Sequence, residues 1–307
     1  MRKFEKPATS IQNQVALLRR RGLVVNDVVC IERCLELVSY YRLRPYWRPF
    51  EIPAHHDGDH AFRKGAMFED VLTLYRFDQQ LRRLVLDGIE PVEVALRARW
   101  AHHMAITHGP HGYLEASLYS DKDKNRERHE KAKDTLAKDF ERSKDTFAEH
   151  YRKTYTSPRL PPAWMAAEVM SLGQLSKWIS DLKQREDRQA IAKSFGLDER
   201  FFTSFCHHLT HVRNICAHHG RLWNRQFTIT IKCPKRPAEL AQAIRGAKER
   251  RLHNTLAVLN YLLGIVAPEM PWRGCVVQLI SGCPLVDPVR MGFPENWRTR
   301  PPWVHSA

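Results

Sequence analysis

The sequence predicts an all-α protein, and three observations carry that prediction. Apolar residues recur three or four positions apart through most of the 307 residues. Only one short stretch, Thr228–Lys232 (TITIK), reads as a short strand or an extended segment. Residues 121–145 interleave nine Lys/Arg with eight Asp/Glu, the pattern of a solvated helix held by i,i+4 charge pairs.

Taken in order, Ile11, Val15 and Leu18 form a first helical stripe that Gly22 can stop. Val28, Ile31, Leu35 and Val38 form a second, with Asn26 or Asp27 placed to cap it. Residues 66–106 carry long helical patterns, with a fresh helix expected to begin at Pro91 because proline suits a first turn. Ser157–Pro162 (SPRLPP) breaks the helical pattern, as a linker or as a rigid turn. It divides the chain into an N-terminal helical region, 1–156, and a second helical region, 157–307, which can also pack as one continuous domain. Leu256–Ala267 is apolar but only twelve residues long, against the ~20 of a spanning helix, so a buried helix and no membrane partner are expected. The Pro- and Trp-rich tail from Pro268 shows little periodicity and is expected to be irregular.

Composition narrows the function. The 43% hydrophobic and 27% charged content is that of a folded domain, neither disordered nor fibrous. Seven cysteines without a C-x-x-C pair argue against a zinc ribbon or a redox motif. With no apolar signal segment at the N-terminus, reduced thiols in the cytoplasm are the expectation. The 49 Lys and Arg against 34 Asp and Glu leave a net charge of +15, which favours a polyanionic partner. That surplus sits in residues 1–50, ten basic against four acidic, and in residues 199–252, eleven against three.

The densest chemistry lies in CHHLTHVRNICAHHGRLWNR, residues 206–225. At 100° per residue, His207, His211, Asn214, His218 and Arg221 fall within about 80° of one another, a polar stripe opposite Leu209, Val212 and Cys216. Imidazole moves protons near neutral pH and guanidinium grips phosphate oxygens, so the stripe suits phosphate chemistry. His207 and His211 stand at i,i+4, a spacing that can seat a metal, but no Cys/His spacing completes the set. No metal and no cofactor are expected. Trp223 reads as core.

Arg213-Asn214-Ile215-Cys216-Ala217-His218 is an Arg-x4-His motif with a polar residue after the arginine. It resembles the motif of HEPN-domain ribonucleases, and the longer RNICAHHGRLWNR resembles the signature of the Abi-like abortive-infection family. Four further blocks resemble that family in order: KPATSIQNQVALLRRRGL (6–23), SYYRLRPYWRPF (39–50), FEDVLTLYRFDQQLRRLVLDGIEPVEVALRARW (68–100) and LPPAWMAAEVMSLGQLSKW (160–178).

The resemblance implies a HEPN-like helical bundle with added N-terminal helices and an irregular C-terminal tail. It also implies phage defence by a toxin-like endoribonuclease that needs no metal, with RNA as substrate. Arg213, Asn214 and His218 would be catalytic, while His219, Arg221 and His211 would bind RNA or support the site. Because one motif supplies one imidazole, the resemblance further implies a homodimer with a composite site. A small regulatory, antitoxin-like RNA would hold the enzyme in check. A second Arg-x4-His, Arg97 to His102, has Ala98 in place of the polar residue and is the weaker candidate. Glu168 falls in a matching block and reads as structural. A non-catalytic RNA-binding module, or a sensor of infection, is the alternative to an enzyme.

Overall fold

The computed structural model describes residues 3, 7–53, 60–119, 123–234, 236–245, 247 and 250–304. Arg2, Glu5, Lys6, Asp121, Lys122, Lys235, Lys248 and Glu249, counted in the segments above, lie outside them. The chain forms two compact units: Met1–Leu81 with Leu279–Asp287, and Arg82–Gln278 with Pro288–Ala307. Their boundary falls inside a helix, and the second unit runs without interruption across residue 157.

In the first unit, α1 (Ile11–Arg20) opens on Ser10, whose hydroxyl accepts from the Asn13 amide, and Gly22, at φ +96°, turns the chain away after it. The α2 helix (Val28–Leu37) is capped by Asp27 through the Cys30 amide, 2.9 Å away, and packs on α1. Leu18, Ile31 and Leu35 are buried, as their spacing predicts. The α3 helix (Tyr40–Trp47) buries Leu43, Tyr46 and Trp47, and the Tyr46 hydroxyl donates to the fully buried Asp78 carboxylate at 2.5 Å.

Asp78 belongs to α4 (Phe68–His108), a single helix of 41 residues. It passes straight through Pro91 and no new helix begins there. Proline forfeits one donor and crowds one carbonyl. Buried Ile89, Val92 and Leu96 on either side continue one apolar face, and that packing outweighs the local break.

The second unit continues α4 and, among the described residues, holds eight further helices and most of a ninth, α13, whose last residues belong to the first unit. These are α5 (Asp123–Arg142), α6 (Thr146–Thr154), α7 (Ala163–Val169), α8 (Leu172–Ser180), α9 (Arg185–Lys193), α10 (Glu199–Ala217), α11 (Ala238–Ile244), α12 (Leu252–Val266) and α13 (Trp272–Ser281). The described helices form no sheet, and the protein is all-α; isolated bridges such as Tyr119 to Leu182 are the only β-type pairs among the described residues. The α10 helix packs against α8 and α9, which fixes the motif-bearing helix from two sides. The α8 helix begins with a full capping box, Ser171 with Gln174. Trp100, Tyr113, Tyr119, His129 and Trp178 form one aromatic cluster, with Tyr119 stacked on His129 at 4.1 Å between ring centres.

Two open readings are resolved here and one expectation, the irregular tail, is corrected. Ser157–Pro162 is a rigid turn inside the second unit: Tyr151 donates to the Pro158 carbonyl and Tyr113 to that of Pro161. Residues 228–232 pair with no strand and lie against α10, where Ser204 accepts from the Lys232 amide. The tail is irregular only after α13; beyond it Phe293, Trp297 and Trp303 close over the buried His253. The apolar stretch from Leu256 lies within α12 and is buried, and among the described residues no helix is long and apolar enough to cross a membrane. All seven cysteines carry free thiols.

Candidate active site

The α10 helix starts at Asp198, whose carboxylate accepts from the Arg200 and Phe201 amides. Its buried side is Phe205, Cys206, Leu209, Val212 and Cys216, and its outer side carries His207, Asn214 and His218, all exposed. The polar stripe thus faces outward as the 3.6 period requires. It stops short of Arg221, because the helix ends at Ala217.

The ending is specific. The His219 amide bonds back to the Cys216 carbonyl and the Gly220 amide to that of Ile215, at 3.0 and 2.7 Å. This is the doubly bonded C-terminal turn that normally places glycine in the left-handed region. Here His219 occupies that position, at φ +56°. A Cβ on Gly220 would lie 3.2 Å from the Ile215 carbonyl, so glycine serves the close approach and histidine bears the strained dihedral. The His218 ring is therefore presented at the exposed end of a rigid helix.

Arg221 lies beyond the helix. It is half-buried and donates from Nη1 to the Trp223 carbonyl at 2.7 Å. Arg251 donates to the Asn224 carbonyl and Arg250 to that of Phe227, so two further arginines hold the same loop. Trp223 is buried, as expected.

Arg213 leans toward α4. Its Nε stands 3.9 Å from Glu93 Oε2, and the other oxygen of Glu93 accepts from Arg97 at 2.5 Å. One carboxylate, only 15% exposed, thus holds two guanidinium groups, while Arg213 itself is 39% exposed. The terminal nitrogens of Arg213 bond no described residue. Arg213 and His218 stand five positions apart, an axial rise of about 7.5 Å.

Arg97 is engaged differently. Its guanidinium donates to the carbonyls of Ala167 and Met170, which end α7, as well as to Glu93. His102 is exposed and lines a separate cavity with Ala98, Arg99, Phe195 and Ile265. The fold does not bring Arg97 and His102 to the Arg213 turn as a pair; only the Arg97 guanidinium connects, through Glu93. Glu168 is exposed on α7.

Two residues escaped the sequence reading. Glu93 is legible as an i,i+4 partner of Arg97, but its link to Arg213, 120 positions away, is not. His208 was hidden among polar neighbours. It is buried, with Nδ1 2.8 Å from the Ile229 carbonyl and Nε2 2.8 Å from Thr255 Oγ1, so it ties α10 to α12. Burial holds its pKa down, to about 4. His211 is half-buried, and burial, Arg225 and His207 together lower its pKa. His207 and His211 gather no third ligand among the described residues.

With this geometry in view, the comparison with protein families is decisive. The family model described as Abi-like protein matches residues 33–224, more than half of the chain, from α2 through the Arg213–His218 turn. The chain belongs to the Abi-like protein family. No curated protein and no solved structure matches it. Membership of the Abi-like family points to abortive infection, a form of phage defence. The match ends at residue 224, within the loop that Arg221 and Arg251 hold, so Arg213 to Arg221 lie within it, whereas Arg250, Arg251 and α11 to α13 lie outside.

Proposed function

We propose that this Abi-like protein is a metal-independent endoribonuclease of the HEPN type, a toxin-like hydrolase acting in phage defence. The observation that carries the reading is the end of α10. An exposed imidazole, His218, stands five positions after Arg213, a guanidinium that Glu93 steadies through Nε and whose terminal nitrogens bond no described residue.

In this reading Arg213 binds the scissile phosphate and stabilises the charge that builds on its oxygens. The 2′-hydroxyl of the RNA loses its proton and attacks the adjacent phosphorus. The bond to the 5′-oxygen breaks, and that oxygen takes up a proton. The products are a 2′,3′-cyclic phosphate and a 5′-hydroxyl, and DNA, lacking the 2′-hydroxyl, is not cut. His218 performs one of the two proton transfers and Asn214, one helical turn before it, orients imidazole or phosphate. His211, His219 and Arg221 border the same helix end and contact the RNA or shape its path. Arg97 supports the site through Glu93, and His102 takes no part.

Acid and base are both required and one chain presents one such histidine. Two copies are therefore proposed to meet as a homodimer, each giving a His218 to a composite site. An enzyme of this kind needs restraint, and a small structured RNA bound to the basic surface is the proposed restraint. A second reading, RNA binding without cleavage, is favoured by one observation: no described residue bonds the His218 ring to fix its orientation.

The test is cleavage of a labelled single-stranded RNA with hairpins, in EDTA, by protein stripped of bound RNA. Wild type should cut and leave 2′,3′-cyclic phosphate ends. Arg213→Ala should lose about 10²–10³-fold in rate and His218→Ala about 10²–10⁴-fold. Both variants should melt as wild type does, because both side chains are at the surface. Binding with a steep salt dependence and no cleavage by any of the three proteins would replace this reading with the second.

A further inference from the structure

Where α4 ends, its last residue His108 and His103, five positions earlier, both turn toward α9 and the same acidic group. His103 Nε2 lies 2.8 Å and His108 Nε2 2.9 Å from Asp187 Oδ1, with Asp187 in the first turn of α9. The three ligand atoms all lie within 4.8 Å of one another. We propose that His103, His108 and Asp187 bind one divalent transition-metal ion of the zinc class, through two imidazole nitrogens and one carboxylate oxygen, with a fourth position open to solvent.

The geometry is close to what such an ion needs. Tetrahedral zinc with bonds of ~2.0–2.1 Å sets its ligand atoms roughly 3.3 Å apart. The two N–O separations need to open by only about half an ångström, and the N–N separation needs to close by about 1.5 Å at most. Burial grades in the right direction: the Asp187 side chain is 7% exposed, His103 16% and His108 19%. The carboxylate is the floor and the two rings are the rim, so an ion and its water enter from the ring side.

The hydrogen bonding also favours a cation. Both imidazoles spend their Nε2 protons on one oxygen, and no described group bonds Oδ2. A metal takes the place of both protons at once, and each neutral ring then carries its proton on Nδ1. For His103 that nitrogen already faces Thr107 Oγ1 at 3.4 Å, a partner that would hold the ring in its ligating orientation. Two nitrogens and one oxygen suit Zn²⁺ or Co²⁺, and exclude Mg²⁺ and Ca²⁺, which require oxygen shells.

His103 stands ten residues beyond Glu93 on α4, about 15 Å along the helix axis. The proposed ion is therefore a clasp between the end of α4 and α9, separate from the Arg213–His218 turn. It does not depend on the ribonuclease reading. Sequence spacing hides it: the two histidines are at i,i+5 rather than i,i+4, and the aspartate is 84 and 79 positions away.

The experiment uses full-length protein without a polyhistidine tag. Metal content is measured as purified from zinc-supplemented cells, and again after stripping and reloading with Zn²⁺, Co²⁺ or Mg²⁺. The expected results are about one zinc per chain, visible absorption bands of four-coordinate Co²⁺, and a melting temperature raised by about 5 °C with zinc at a hundredfold excess over its Kd. Mg²⁺ should shift nothing. His108→Ala, at the helix end and partly exposed, should fold and bind zinc at least tenfold more weakly. Absent Co²⁺ bands in the wild type, or a zinc shift equal in wild type and His108→Ala, would overturn the proposal. The Co²⁺ spectrum needs no variant, and no readout involves RNA.

Discussion

His219 holds a left-handed backbone conformation between the proposed catalytic imidazole and the loop arginines. For an L-residue other than glycine, this geometry costs about 1–2 kcal/mol, and the two backbone bonds of the helix end hold it in place. His219→Gly should therefore stabilise the protein by about 1 kcal/mol and raise the melting temperature by about 2 °C. His219→Val should do the reverse, because a β-branched side chain tolerates that region least. If His219→Gly melts lower than wild type, the ring contributes contacts worth more than the strain. Running the RNA assay on the same variant separates a contact to RNA from a purely conformational role. At this scale the site was partly legible. Arg213, Asn214 and His218 follow from their spacing and from the family-like context, and the outward stripe from helical periodicity. The placement of Arg221 on that stripe did not hold, because a periodic projection continues past Ala217, where backbone bonds stop the helix. Glu93 and His208 did not follow either, since each meets its partner through chain packing that no local pattern encodes.

Gly88 shows how an element overrides its own composition. Glycine inside a helix normally costs about 1 kcal/mol relative to alanine, so Gly88→Ala would ordinarily strengthen α4. In this fold a Cβ at position 88 would stand 2.6 Å from Trp272 Nε1 and 2.8 Å from Trp272 Cε2. The indole donates at 2.7 Å to the Leu84 carbonyl one turn earlier, and Trp272 is buried at the start of α13, so it cannot swing aside cheaply. Overpacking of this kind typically costs 1–3 kcal/mol. Gly88→Ala should lower the melting temperature by several degrees, and Gly88→Ala combined with Trp272→Phe should recover part of that loss, because the smaller ring frees the space. An alanine variant as stable as wild type would show that α13 shifts freely on α4. The same contact explains which elements the sequence revealed. The amphipathic stripes of α1, α2 and α10 were legible, and for α2 the Asp27 cap as well. The continuity of α4 through Pro91 was not, because a local rule for proline lost to a buried face that extends on both sides of it. Residues 272–281 were not recognised as a helix, although Trp272, Val276 and Ile280 form a buried i, i+4, i+8 stripe, because three apolar residues in a Pro- and Trp-rich tail are a short local signal.

At the scale of the whole molecule, acid should be the condition that unfolds this protein, and the reason lies in two buried histidines. His208 is locked between Ile229 and Thr255, and His253 accepts from the Trp303 indole at 3.1 Å while its other nitrogen meets Asn254. Burial lowers the pKa of each from the ordinary 6.5 to about 4. The sign follows from proton counting. Between pH 6.5 and 4 the unfolded chain binds a proton at each site and the folded chain does not, so stability rises with pH across that window. It is fully present above about 6.5 and lost as pH falls toward 4, at a rate of up to two protons. A gap of this size corresponds to roughly 3 kcal/mol per group lost as pH falls from 6.5 to 4, and two such groups are comparable to the ~5–15 kcal/mol total of an ordinary domain. Asp187 acts in the same direction but lower. Burial raises its pKa, the His108 and His103 hydrogen bonds outweigh that, and the stability it lends is lost only below its ordinary 3.8. The high positive charge adds self-repulsion as carboxylates protonate. Melting temperature followed by circular dichroism should therefore be flat above pH 7 and fall steeply between 6.5 and 4. His253→Gln, which keeps an amide in the imidazole's place, should be less stable at pH 7 yet lose less on acidification. A wild-type profile that is level down to pH 4 would mean that both histidines are protonated at no cost in the folded protein, and the buried contacts that hold α10 to α12, and the tail over α12, would need to be drawn differently.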